Sequence, residues 1–223
     1  MNQNTRTISR PAESVLATNK VIRNTYILLS LTLLFSAVTA GIAMATNMPH
    51  PGLVITLVAY FGLLFLTHKL RNSVWGIASI FALTGFLGLT LGPIISAYLT
   101  MFSNGAELVM MAMGGTGVIF LGLSGYALTS RKDFSFMGGF LAVGILVAFL
   151  AGIAAYAFDM AGLSLAVSSM FILLMGGLIL YETSRIIHGG ETNYIMATVT
   201  LYVSIYNLFL SLLHLLAAFS GER

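Results

Sequence analysis

The stretch LYETSRIIHGGETNY, Leu180 to Tyr194, places Glu182, Arg185, His188 and Glu191 within ten positions of a chain that is only 8% charged. Those side chains could do three kinds of chemistry. A carboxylate removed from water without a cationic partner resists ionisation and can sense protons. Arg185 lies three positions beyond Glu182, on the same face of a helix, so an ordinary ion pair is the competing reading. Metal binding fits poorly, because His188 and Glu191, flanking Gly189-Gly190, supply two ligands where a site needs more.

A second polar set follows. Asn193, Ala197, Thr200, Ser204, Asn207, Ser211 and His214 recur at intervals of four and three, which aligns them on one helix face. From first to last the seam spans roughly 31 Å at about 1.5 Å per residue, close to the full hydrocarbon thickness. Polar groups need partners in lipid, so the helix that carries them is expected at the centre of a bundle. Interhelical hydrogen bonds, or a water or ion path, would then run along it. Glu182, Arg185, Ser204, Asn207 and His214 are the candidate pH-sensing or ion-path residues.

A nucleophilic reading also needs weighing. GLSG, Gly122 to Gly125, resembles the serine motif of rhomboid intramembrane proteases, whose serine works with a histidine on a later helix. Ser124 is expected about five residues, and His214 about twenty, from the same side of the membrane, a depth difference of about 20 Å. No dyad is expected at that separation. No enzyme activity, catalytic residue, cofactor or resident metal is expected. The chain has no cysteine, which excludes disulfides and thiolate metal sites.

The elements that must position these residues are apolar. Hydrophobic residues make up 58% of the 223, and the mean hydropathy is +0.96. Soluble domains run nearer a quarter charged, so the composition indicates an all-α integral membrane protein. Uncharged gaps separate Arg23 from Lys69, Arg71 from Glu107, Glu107 from Arg131, Asp133 from Asp159, Asp159 from Glu182, and Glu191 from Glu222. A span needs roughly 20 apolar residues. The first gap holds two spans, because TNMPHPG (Thr46 to Gly52) carries two prolines that cannot sit inside a helix. Seven spans result, near 25–45, 52–67, 75–98, 108–129, 135–158, 162–184 and 194–219. Small residues in the third, fourth and fifth, among them Gly85, Gly88, Gly92, Gly115, Gly122, Gly125 and Gly144, are expected to let helices approach closely. Pro93 is expected to kink the third.

The isoelectric point near 9.3 does not indicate nucleic acid, since the cations alternate by loop instead of forming a stripe. Nine of the ten fall in the N-terminal segment, the second loop (Lys69, Arg71), the fourth (Arg131, Lys132) and the sixth (Arg185), and the first, third and fifth loops have none. The positive-inside bias then puts the N-terminus in the cytoplasm and the C-terminus outside. A cleaved signal peptide ending at the small residues Ala43 to Ala45 is disfavoured, because the first apolar run exceeds the roughly 7–15 residues of a signal core. Residues 1–24 are expected to form a disordered cytoplasmic tail, reaching roughly 80 Å if extended, and residues 25–223 the transmembrane domain.

YETSRIIHGGETNY followed by LYVSIYNLFLSLL resembles the C-terminal signature of the Bax inhibitor family of seven-span membrane proteins. TNKVIRNTYILLSLTLLFSA, TGFLGLTLGP and TSRKDFSF resemble its bacterial members, and the likeness covers nearly the whole chain. The resemblance implies a central seventh helix surrounded by six others, in the bacterial inner membrane. It also implies a function: binding to, degradation by and competitive modulation of the membrane ATP-dependent protease FtsH, with its membrane regulators HflK and HflC as associated partners. The tail, with Arg6, Arg10, Glu13 and Lys20, is the segment such a protease would engage. The alternative implied is a pH-sensitive calcium or proton leak using paired aspartates on the sixth and seventh helices. The first of the pair matches Glu182 and the second falls at uncharged Ser204. A lone carboxylate cannot share a proton with an absent partner or present two charges to calcium.

Overall fold

The computed structural model describes the backbone of residues 11–221 and the side chains of residues 18–221. Within these lie α1 (Pro11–Ala45), α2 (Leu53–Leu70), α3 (Trp75–Met101), α4 (Gly105–Ser130), α5 (Gly138–Ala157, entered by a 3-10 turn at Ser135–Met137), α6 (Ala161–Ile187) and α7 (Tyr194–Ser220). All seven are long and apolar enough to cross a membrane. The described residues contain no strand.

Local chemistry sets the ends. After α1, Asn47 adopts φ 48°, and Met48 N–H closes on Ala43 O at 2.9 Å before the prolines. Arg131 takes a left-handed conformation to end α4 and donates its N–H to Ala127 O. Gly189, at φ 74°, turns the chain after α6, and Gly190 N–H returns to Arg185 O at 2.8 Å. Asn193 caps α7, its side chain accepting from the N–H groups of Ile195 and Met196, which satisfies donors that have no partner inside the helix.

One expectation is corrected at the N-terminus. Residues 11–24 belong to α1 rather than to a disordered tail. Their polarity suggested disorder, but Pro11 stands at the first helical position and Ala, Glu, Leu, Lys and Arg follow, all compatible with a helix. Arg6 and Arg10 lie outside the described residues. Glu13 is in α1, and Lys20 is exposed on it.

α7 is central. It packs against α1, α3, α4 and α6, which also pack in a closed ring: α1 on α3, α3 on α4, α4 on α6 and α6 on α1. Two helices depart from the expected six-fold wrap, α2 packing on α3 and α5 on α6. The reason lies in their composition. Nearly all their side chains are apolar and suit lipid, so only Thr67 of α2 and three residues of α5 are buried. The α1–α3 contact runs through glycine, as expected for lipid, where close approach replaces the hydrophobic drive. A Cβ on Gly92 would lie 2.7 Å from Ala40 O and 2.6 Å from Ala43 Cβ, and one on Gly85 would lie 2.7 Å from the Phe35 ring. In α4, by contrast, a Cβ on Gly122 or Gly125 would meet nothing within 4 Å.

Candidate functional site at the basic end of the bundle

Alternating helix directions bring the start of α1 and the α2–α3, α4–α5 and α6–α7 connections to one end. Every described Lys and Arg sits there: Lys20, Arg23, Lys69, Arg71, Arg131, Lys132 and Arg185.

Glu182 lies about 7 Å inside this end, five residues before α6 stops. It is only 1% exposed. Its Oε2 accepts from Arg185 Nη1 at 3.1 Å, while Oε1 is buried with no hydrogen-bond partner. Arg185 extends the connection outward. Its Nη2 donates to Gly190 O at 3.1 Å and lies 3.6 Å from Glu191 Oε2, and its guanidinium stands 5.5 Å over the Tyr181 ring. Glu191 Oε1 accepts from Asn193 N–H at 2.8 Å, and Asn193 Nδ2 donates to Arg71 O and Asn72 Oδ1. A continuous polar chain thus links a buried carboxylate to the α6–α7 turn, the cap of α7 and the α2–α3 connection.

Neighbouring residues fasten the same end. Ser184 Oγ donates to Lys132 O at 3.1 Å and accepts from Phe134 N–H at 3.0 Å. His188 Nδ1 meets Ser184 O at 2.9 Å, and because a carbonyl only accepts, that nitrogen carries the proton. Thr198 Oγ1 reaches Tyr194 O and Thr25 O. Ser135 N–H donates to Asp133 Oδ1 at 2.9 Å and holds this exposed carboxyl below the usual range.

The polar seam of α7 behaves differently from the expectation of interhelical bonds. Thr200 donates to Met196 O, Ser204 to Thr200 O at 2.8 Å and Asn207 to Val203 O at 2.8 Å. These groups satisfy themselves on their own helix. Ser204 is fully buried, and no hydrogen bond joins it to Glu182 among the described residues. His214 does cross, its Nδ1 lying 2.8 Å from Ser168 Oγ on α6. The central cross-helix bonds come from residues that sequence reading passed over as apolar. Tyr202 Oη lies 2.6 Å from Ser36 Oγ and donates to Thr84 O at 3.3 Å, and Tyr206 Oη lies 3.1 Å from Thr90 Oγ1. Their i, i+4 spacing beside Ser204 was the available signal, since a buried tyrosine hydroxyl usually finds a partner.

Neither chemical alternative is assembled. Ser124 is near the basic end and His214 near the opposite one, with its ring on Ser168. His188 and Glu191 are both held within the α6–α7 turn, and no group of three metal-ligating side chains occurs among the described residues.

The model of the family described as "Inhibitor of apoptosis-promoting Bax1" matches residues 18–221. The chain belongs to the Bax inhibitor family. Over 214 residues, 96% of this chain and 97% of the relative, it is 53% identical to "Modulator of FtsH protease YccA" of Escherichia coli strain K12. By the same measures it is 53% identical to "Inner membrane protein YccA" of Escherichia coli O6:H1. An uncharacterized protein of Pseudomonas aeruginosa is 50% identical over 202 residues, 91% of this chain and 90% of that one. The chain is accordingly a multi-pass inner-membrane member of the Bax inhibitor family.

Proposed function

We propose that this family member modulates an FtsH-type membrane ATP-dependent protease by being bound and slowly degraded by it, competing with other membrane substrates. The observation that carries the reading is the 53% identity, over nearly the full length of both chains, to a protein named as a modulator of FtsH protease. In this reading the N-terminus is cytoplasmic and the C-terminus periplasmic, which the cation distribution favours. The protease grips the N-terminal segment that includes Arg6, Arg10, Glu13 and Lys20. Because α1 is helical from Pro11, residues 11–24 present roughly 21 Å of helix, far less reach than an extended tail. The first ten residues are therefore the effective handle, and the seven helices behind them make extraction slow. HflK and HflC, as membrane regulators of the protease, would share the complex.

The test is pulse-chase, with and without FtsH, of the full chain and of forms lacking residues 3–10 or 3–18, keeping Lys20 and Arg23 to hold orientation. Both deletions should lengthen the lifetime, and the stabilised forms should slow turnover of another membrane substrate more strongly. Equal lifetimes in the presence of FtsH would reject the handle. Reporter fusions after Arg23, Asn104 and Arg223 check the orientation, with an inside signal expected only at the first.

A second reading, a proton or calcium leak, rests on one observation: the buried, unpartnered Oε1 of Glu182. Uncharged Ser204 argues against calcium. In reconstituted vesicles this reading requires Glu182→Gln to alter a pH-dependent flux and Ser204→Asp to raise it. Equal silence of wild type and both variants rejects it.

A further inference from the structure

At the basic end a cleft of about 480 Å³ opens between the start of α1, the end of α4 and the end of α6. That volume lies within the roughly 300–1,000 Å³ of small-ligand sites. Its outer rim is polar, with Thr18 and Asn19 on α1, Arg131 at the cap of α4 and His188 at the cap of α6. Ile22, Leu128 and Ile187 line it with apolar surface. Farther along the same helices the Tyr26 and Phe120 rings meet at 6.2 Å.

We propose that this cleft seats the headgroup of an anionic phospholipid, with an acyl chain lying along Ile22, Leu128 and Ile187. Three observations combine. α4 ends at Ser130 and α6 at Ile187, so the polar rim falls where both spans leave the hydrocarbon. Arg131 is exposed and makes no ion pair among the described residues, the only pairs there being those of Arg185 with Glu182 and Glu191. Exposed Lys20 and Lys132 flank the rim residues Asn19 and Arg131 and add positive potential. Basic pockets between helices at the face of the membrane suit anionic headgroups, and an arginine can meet a phosphate with two parallel donors. His188 has committed Nδ1 to Ser184 O, which leaves Nε2 to accept from a headgroup hydroxyl, as phosphatidylglycerol offers. The competing role for Arg131 is local, since a cation also suits the negative end of α4.

The test titrates the purified full-length chain with phosphatidylglycerol, phosphatidylcholine and inorganic phosphate, reading retained lipid by native mass spectrometry. Phosphatidylglycerol should be retained in preference to phosphatidylcholine. Arg131→Gln should weaken it about fivefold, the loss of one cation near the membrane surface, and Arg131→Lys should restore only part of it, since an ammonium keeps the charge but not the two parallel donors. Ile22→Trp, which fills the apolar wall and leaves every charge, should weaken it too. Lys69→Gln, at the same end but away from the cleft, should change affinity less than about twofold. Equal retention of the two lipids, or Arg131→Gln matching Lys69→Gln, would overturn the proposal. Displacement of the lipid by inorganic phosphate at equal concentration would overturn it as well, assigning the site to a soluble anion.

Discussion

At the residue scale, Glu182 and Arg185 form a pair of unequal partners. Glu182 is almost wholly enclosed while the Arg185 side chain is 31% exposed, so removing one does not mirror removing the other. Arg185→Ala leaves a carboxylate buried beside nothing, and it also frees Gly190 and Glu191 in the turn. It should cost about 2–3 kcal/mol, somewhat below the usual 3–5 for a broken buried pair because Arg185 is partly hydrated. Glu182→Gln keeps the volume and leaves Arg185 its other contacts, so it should cost less than about 1.5 kcal/mol. Thermal unfolding in detergent of both single variants and the double variant checks the order. The pair was legible in the sequence because three positions on a helix face decide it. Tyr202 was not, since a tyrosine in an apolar run reads as bulk until its neighbours are known. With Ser36 and Thr84 both at its hydroxyl, Tyr202→Phe should cost about 1–2 kcal/mol by the same assay.

At the element scale, the spans and their order were legible because charge gaps and prolines punctuate the chain. Which glycines carry a helix contact was not, because Gly92 and Gly122 look alike in sequence. The fold separates them. A side chain at Gly92 collides with α1, where Ala40 O and Ala43 Cβ stand under 3 Å from the added carbon, and backbone cannot step aside cheaply. Gly92→Leu should therefore destabilise by about 2–3 kcal/mol or prevent assembly. Gly122→Leu, with nothing within 4 Å, should be neutral or stabilising by up to about 1 kcal/mol through helix propensity. Parallel melts of the two variants test the contrast. The entry to α5 adds a pH signature. The hydrogen bond from Ser135 holds the Asp133 carboxyl below its ordinary value, so its contribution is present above that ordinary value and fades as pH falls through the lowered one. The melting difference between Asp133→Asn and wild type should be present at pH 7 and vanish in strong acid.

At the scale of the whole molecule, the arrangement gives an order of disassembly. α7 is enclosed by α1, α3, α4 and α6, and α1 closes that ring by packing on both α3 and α6. An unfolding machine that pulls from the N-terminus meets α1 first, and withdrawing α1 opens the ring and exposes the central helix. Pulling on α7 first would require it to leave while all four neighbours remain. The sequence placed α7 at the centre through its polar seam, yet Thr200, Ser204 and Asn207 bond within α7, and Tyr202, Tyr206 and Thr198 tie α7 to α1 and α3. The ring also depends on α1 meeting α3 across Gly85, Gly88 and Gly92, and while their spacing predicts a close helix contact, it does not name α1 as the partner. If extraction begins at α1, tethering α1 to α3 should stall it. The chain has no cysteine of its own, so Ala43→Cys with Gly92→Cys introduces a single candidate bridge. An added Cβ at Gly92 lies 2.6 Å from that of Ala43, and a small outward shift brings the pair to the roughly 3.5–4.5 Å that a disulfide spans. Comparing the oxidised and reduced forms of this one variant cancels any crowding that the cysteine at position 92 introduces. With purified FtsH and ATP, the oxidised form should persist several-fold longer than the reduced form. Reductant added part-way through should restore the faster rate. Equal degradation of oxidised and reduced protein would mean that α1 need not leave α3 for extraction to proceed, and an N-terminal order of disassembly would have to be abandoned.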